Sequence, residues 1–452
     1  MPDTLHPFTL KPHRTFVGLS APLLVSLVAE PLTGLADTAF VARLDAVALA
    51  GLGVGAALLS SIFWMFNFLG IGTQTEVAHS EGSGDIERSR VANVQALGLS
   101  VLMGAGIGGL VWLVVDPLVL LMGADGEIAA QARDYITVRL LGAPAILLTI
   151  ASFGTLRGLQ DMRSPMWIAS GLNVLNIALD PIFIFGWGPV PAMGVAGAAA
   201  ASVISQWLGA AAAVTVAVIR IGIPARAHLS QLGKLLKIGE ELFVRTAALN
   251  FFLLLTTRAA TEIGADAGAA HQAIRQVWAF TALFLDAFAI AGQSLVAYFL
   301  GADDLRQSRR VATVVCQWSL GCGVVLTIVM LATAGPVARA LIPASSYEVF
   351  LVPWIISAFS QPVSALSFGT DGVHWGTGDF RYLRNAVLVA TLVGVIGLLW
   401  VDETNRAALA HIWIVTAVWN SVRAAFGIIR IWPGVGAAPL ACISHHVARR
   451  SG

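Results

Sequence analysis

Long apolar runs alternate with short polar stretches along the whole chain. The runs fall at 16–42, 47–78, 91–116, 133–155, 164–186, 192–219, 238–263, 268–300, 309–334, 348–375, 383–401 and 408–430. About 20 apolar residues are enough for a helix to cross a bilayer. Each run is near that length, so the pattern predicts twelve membrane-spanning helices. An even number places both termini on one side. The 27 Lys and Arg choose the side: eighteen flank the N-terminal side, five the other, and four lie inside spans. That bias places both termini in the cytoplasm.

The pattern also repeats. GSGDIERSRV at 82–91 is echoed by GADDLRQSRRV at 301–311, pairing Gly82 with Gly301, Asp85 with Asp304, Ser89 with Ser308 and Arg90 with Arg309. RGLQDMR at 157–163 is echoed by WGTGDFR at 375–381. The first echo follows the second span of each half and the second follows the fourth, so six spans are duplicated in the same orientation. The predicted fold is all-α and polytopic, with two six-helix lobes related by a pseudo-two-fold axis. The lobes are 1–220 and 238–452, the latter including a cytoplasmic tail, and a basic cytoplasmic linker at 221–237 joins them. Parallel repeats of this kind occur in secondary transporters, whose substrate sites lie near mid-membrane at the repeat interface.

Composition narrows the class. The chain is 57% hydrophobic and only 12% charged, which fits a polytopic membrane protein, and its net charge of +1 offers nothing to nucleic acid. The cysteines Cys316, Cys322 and Cys442 have no metal-binding spacing. Gly104, Gly106, Gly108 and Gly109 lie inside a span with no strand before them, so they read as close helix packing and not as a phosphate loop. No nucleotide or hydrolase motif points to an enzyme, and no cofactor is expected.

Charge inside the spans is where chemistry is expected. An ionised side chain at mid-bilayer costs at least ~2.5–3.5 kcal/mol and therefore marks a site or a partner. The first span carries Glu30 and Asp37 seven residues apart, near one helical face, and Pro22 and Pro31, which should bend it. The fifth carries Asn176 and Asp180 four apart, followed by Pro181. Three carboxyls and an amide thus gather in the first lobe, with no Lys or Arg expected inside its spans. Crowded carboxyls without a cation favour holding a proton among them, or binding sodium through hard oxygen ligands. In the second lobe acids and bases roughly balance. Glu241 and Arg245 are four apart and spaced for an ion pair; His271 and Arg275 are likewise four apart, Asp286 lies three turns on from Arg275, and Asp371 and His374 share the tenth span. This set reads as a structural ion network with a secondary polar-site role open. Glu76 and His79, at the cytoplasmic end of the second span, read as interfacial.

Three stretches carry a family resemblance: GLADTAFVARL at 34–44; LNIALDPIFIFGWG at 175–188 with GVAGAAAASVISQ at 194–206; and 270–304 with DGVHWGTGDFRYLRNA at 371–386. In their order and spacing the chain resembles a multidrug and toxic compound extrusion (MATE) transporter of the DinF-like branch. The resemblance implies an alternating-access antiporter in a bacterial cytoplasmic membrane, working as a monomer. It would export amphipathic, often cationic drugs in exchange for protons or sodium. The first-span aspartate of the family falls on Asp37 and its bending proline on Pro22; its fifth-span pair falls on Asn176 and Asp180. The acids that form a sodium site in other branches fall near Leu249–Asn250 and at Ser364, none of them acidic, so the resemblance favours proton coupling in the first lobe. If sodium were the ion, Asp37, Asp180 and Asn176 would hold it. A lipid-linked precursor flippase and a passive channel or receptor are the alternatives.

Overall fold

The computed structural model describes residues 5–225 and 232–441. Arg226, Cys442, Arg449, Arg450 and residues 226–231 of the expected linker lie outside the described residues. Apart from a short bridge between Trp187 and Val190, the described chain is helical or in turns. Every one of the twelve apolar runs falls on helix. After a single helical turn at Pro7–Leu10 come α1 (Pro12–Val41), α2 (Ala46–Ser83, with a 3₁₀ turn at Met65–Asn67) and α3 (Ile86–Leu113). Next are α4 (Gly126–Leu140), α5 (Ala143–Gly158), α6 (Arg163–Phe185) and α7 (Val195–Ile221). The second half holds α8 (Leu232–Ile263), α9 (Ala265–Gly301), α10 (Leu305–Leu341), α11 (Tyr347–Thr377), α12 (Phe380–Leu399) and α13 (Ala408–Ile431).

Ten described helices are long and apolar enough to span a membrane, eleven if α4 and α5 count as one bent span. The chain is therefore a multi-pass membrane protein. Two departures from twelve uniform spans have local causes. The run at 133–155 is not one straight helix: α4 and α5 meet at 51°. Gly142 precedes Pro144 there, and proline has no backbone N–H to continue the ladder. The run at 238–263 belongs to α8, which is helical throughout but carries Lys234, Lys237, Glu240, Glu241, Arg245 and Arg258, and it is not among the ten. α1 remains one helix through Pro22 and Pro31. Each proline leaves a carbonyl, that of Gly18 or Leu27, without its helical donor.

The described chain forms two compact units, Ala21–Gly239 and Met1–Ser20 with Glu240–Gly452. The first twenty residues thus cluster with the second half. The sequence repeat reappears as repeated local geometry within each unit. Asp85 accepts from the Arg88 N–H at 3.0 Å and caps α3, while Asp304 accepts from the Gln307 N–H at 3.0 Å and caps α10. Gly84 and Asp303, just before them, both take a positive φ, as do Gln160 and Gly378 in the second echo. Arg90 Nε donates to the Ile221 carbonyl at the end of α7, and Arg309 Nη2 donates to the Trp432 carbonyl after α13. Asp161 pairs with Arg220 at 3.5 Å and Asp379 with Arg430 at 2.7 Å. The repeated Gly, Asp and Arg positions therefore end one helix, cap the next and fasten the last helix of each half.

Close helix approaches recur at the same offset. A Cβ added to Gly104 would lie 2.5 Å from the Pro144 Cα, and one added to Gly323 would lie 2.7 Å from the Pro362 Cα. At both Gly158 and Gly376 it would lie 2.8 Å from a valine Cβ, of Val77 and Val296 respectively. Such contacts let membrane helices pack backbone to backbone. We predict that Gly158→Ala and Gly376→Ala each cost about 1–3 kcal/mol through overpacking. Gly98→Ala, where a Cβ meets nothing within 4 Å, is the neutral control. Thermal unfolding of the purified protein in detergent reads the difference, and equal midpoints for all three would refute it.

Candidate functional site

The first-half cluster forms where α1, α6 and α7 meet. Asn176 and Asp180 lie one turn apart on α6, with Asp37 on α1 and Ser202 on α7. Asp180 is completely buried, and Asn176 and Asp37 nearly so. In the amide orientation that satisfies all its neighbours, Asn176 donates from its nitrogen to Asp37 Oδ1 at 3.2 Å. Its oxygen then accepts from the Ser202 hydroxyl at 3.2 Å and the Ser202 backbone N–H at 3.1 Å. The Asp37 and Asp180 carboxyls are near enough to act on each other electrostatically. Neither oxygen of Asp180 receives an N–H or O–H from another residue. Two ionised carboxylates cannot donate to one another, so a hydrogen bond between them requires a proton on one.

Glu30 sits two turns before Asp37. It is exposed. Pro22 is half-buried and Pro31 exposed.

The expectation that this half has no cation in its spans is overturned by Arg139. This residue lies in the last turn of α4, just before the bend, where its guanidinium donates to Gln206 Oε1 on α7 at 2.5 Å. It is electrostatically coupled to both Glu30 and Asp37. The signal that could have found it is its place within the run at 133–155.

In the second half, the expected Glu241–Arg245 pair is not formed. Arg245 on α8 instead gives its Nη2 to Asp371 Oδ2 on α11, and Arg423 Nη2 on α13 donates to the same oxygen at 2.9 Å. The spacing of Glu241 and Arg245 favours a pair, but a guanidinium at a helix surface can turn to a neighbouring helix, and Asp371 already draws Arg423. Arg423 also donates from Nη1 to Asn420 Oδ1 at 3.2 Å. Sequence reasoning noted Arg423 inside a span without assigning it a site. A buried arginine needs an acid, and Asp371 was the candidate at hand.

His271 and Arg275 do not join this network. Both turn to Thr257: its hydroxyl lies 3.4 Å from His271 Nε2, and it accepts from Arg275 Nη1 at 2.6 Å. Arg275 Nη1 also donates to the Leu253 carbonyl at 2.9 Å. Asp286 acts electrostatically on Arg423. Ser364 is buried and Asn250 exposed. Glu76 is buried and binds both Arg88 Nε, at 2.6 Å, and Lys234 Nζ.

Comparison with known proteins matches this arrangement to one family. The MatE family model matches residues 22–182 and again 242–400. Those two segments span the two copies of the repeat. Protein DETOXIFICATION 45, chloroplastic, of Arabidopsis thaliana is 30% identical over 451 residues, covering 92% of this chain and 78% of its own. DNA damage-inducible protein F of Escherichia coli (strain K12) is 27% identical, covering 92% of this chain and 90% of its own. Among solved structures, that of a MATE protein in the bent conformation has the same fold, with a TM-score of 0.84 at 22% identity, covering 92% of this chain and 94% of its own. With both halves matched by one family model and relatives aligned over nearly the whole chain, this protein belongs to the MatE family of multidrug and toxic compound extrusion proteins, and is a membrane transporter and not an enzyme.

Proposed function

We propose that this transporter is a proton-coupled antiporter that exports amphipathic, often cationic compounds across a bacterial cytoplasmic membrane, with both termini in the cytoplasm. The observation that carries the reading is the closeness of the Asp37 and Asp180 carboxyls on α1 and α6, with no N–H or O–H donor serving Asp180 from elsewhere. Two like charges about 4 Å apart repel by about 4 kcal/mol at an effective dielectric near 20. A proton shared by the pair removes that repulsion and adds a hydrogen bond. Uptake of that proton from the outer side draws the carboxyls together and pulls on α1, whose ladder already lacks donors for the Gly18 and Leu27 carbonyls. α1 is the helix expected to bend. The bend moves the stretch of α1 that carries Glu30, and bound compound leaves on the outer side. Drug and proton are then exchanged because each binds one state better than the other.

The same oxygens suit sodium less well. A sodium site needs several hard oxygens turned inward, and the Asn176 oxygen faces Ser202.

The test is uphill accumulation of a fluorescent cationic drug in everted vesicles. Accumulation driven by a proton gradient alone is the expected result. Accumulation driven only by sodium would overturn the ion, and none with either gradient would overturn the antiport reading and leave a lipid flippase as the successor.

A further inference from the structure

We propose that the segment at the start of the chain is a pH-released strap: two histidines help hold it on the second half while they are neutral, and let it go when each takes a proton. The inference does not depend on the role of the Asp37–Asp180 pair. Residues 5–20 belong to the same compact unit as Glu240–Gly452. From Pro12 onward they run without a break into the rest of α1. Two phenylalanines seat the strap. Phe8 and Phe16 are completely buried. The Phe8 ring centre lies 5.8 Å from that of Phe299, and the Phe16 ring stacks on Phe288 at 5.7 Å, both partners being on α9.

Two imidazoles add the polar hold. His6 Nδ1 accepts from the Phe8 backbone N–H at 3.1 Å and so caps the turn Pro7–Leu10. The His6 ring also packs on Tyr298 and Phe299, with centres 4.7 Å and 5.0 Å away. His13 Nδ1 accepts from the indole N–H of Trp318, on α10, at 3.1 Å. A backbone N–H and an indole N–H can only donate. In both bonds the Nδ1 atom must therefore supply a lone pair. A neutral imidazole has that lone pair, whereas the cation carries a proton on both nitrogens and has none. Protonation of either ring turns its hydrogen bond into two N–H groups facing each other. His13 and Trp318 are exposed, so protons reach that bond from solvent.

The neighbouring charges act in the same direction. Lys11 and Arg14 flank His13 on the strap itself. Arg310 on α10 donates to the Thr9 carbonyl at 3.2 Å. Tyr298 is the titratable group packed on His6 from α9. Among the described residues no carboxylate lies within 4 Å of the His13 ring. A new positive charge on His13 thus meets cations and no acid at contact. Histidine is the side chain that ordinarily changes charge between about pH 5 and about pH 8. Docking uses the neutral rings, so the strap is held at the upper end of that range and loosens as the pH falls through it. Acid on the side where the N-terminus lies frees the first turns of α1, the helix that carries Glu30 and Asp37.

The test is hydrogen–deuterium exchange of the full-length protein in nanodiscs. Mass spectrometry gives the protection factor of residues 5–20, corrected for the intrinsic pH dependence of exchange. Each hydrogen bond lost is worth roughly 2- to 10-fold. Wild-type protection is therefore expected to fall by roughly tenfold from about pH 7.5 to about pH 5.5, with α13 unchanged. The double variant His6→Asn, His13→Asn is expected to keep its protection at both pH values. An asparagine oxygen accepts where Nδ1 does and takes no proton in this range. If that variant is already unprotected at the higher pH, Trp318→Phe decides. It keeps a ring, removes the donor to His13, and should fall less than wild type. Wild-type protection that does not change, an equal fall in α13, a double variant that falls as wild type does, or Trp318→Phe falling as far as wild type would each overturn the strap.

Discussion

Asp37→Asn will abolish proton-driven drug accumulation while the protein stays folded and still binds drug. The replacement has almost the same shape. Its side-chain oxygen can still accept from Asn176 at the position of Oδ1, and its amide can donate to Asp180. What it cannot do is take and release a proton. The pair is then held permanently in its hydrogen-bonded arrangement, the one that a proton creates in the wild type, and the cycle stops at that step. The accumulation ratio, held above one in the wild type by the imposed proton gradient, should fall to about one. Asp180→Asn should do the same, because a shared proton needs both partners. Everted vesicles give the accumulation ratio, equilibrium binding of the same fluorescent drug shows that the site survives, and thermal unfolding shows that the fold does. Wild-type accumulation by Asp37→Asn under a proton gradient would remove this carboxyl from the mechanism.

The residues of that site were legible in the sequence because a bilayer makes them conspicuous. Glu30, Asp37 and Asp180 stand out as acids in apolar runs, and the four-residue spacing of Asn176 and Asp180 fixes their common face. The repeat was equally legible, since Asp85 and Asp304 must each cap a helix and Arg90 and Arg309 must each reach the end of another. Partner choice was not legible. Glu241 is four residues from Arg245, whereas Asp371 is 126 residues away along the chain; spacing reveals the first relation and conceals the second. Arg139 was missed for a related reason. Hydropathy reports where a run is apolar but not where it bends, and it is the bend after α4 that ends a helix with Arg139 in the same half as Glu30 and Asp37. The Glu76–Lys234 ion pair likewise joins residues 158 apart in sequence.

The largest stability effect is expected from Asp371→Leu. Asp371 is the carboxylate to which two buried guanidiniums donate, so its removal leaves both without a counter-ion at contact. Breaking a buried pair by deleting one partner typically costs about 3–5 kcal/mol, because an uncompensated charge remains inside. With two cations stranded close to one another, the upper end of that range applies. Arg245→Met is milder, since Asp371 keeps Arg423 at 2.9 Å and the methionine stem can still pack against Trp375. The triple variant Arg245→Met, Asp371→Leu, Arg423→Met should regain most of the stability lost in Asp371→Leu, because apolar side chains of similar volume replace buried ion pairs at little cost and often with gain. Arg423 now packs on Trp419 and Phe368, surfaces that methionine can cover. Unfolding midpoints of the purified variants measure the order: Asp371→Leu lowest, Arg245→Met between, and the triple variant near wild type. If Asp371→Leu melts with wild type, the arginines are not held by this carboxylate, and if the triple variant stays as low as Asp371→Leu, packing and not charge sets the stability there.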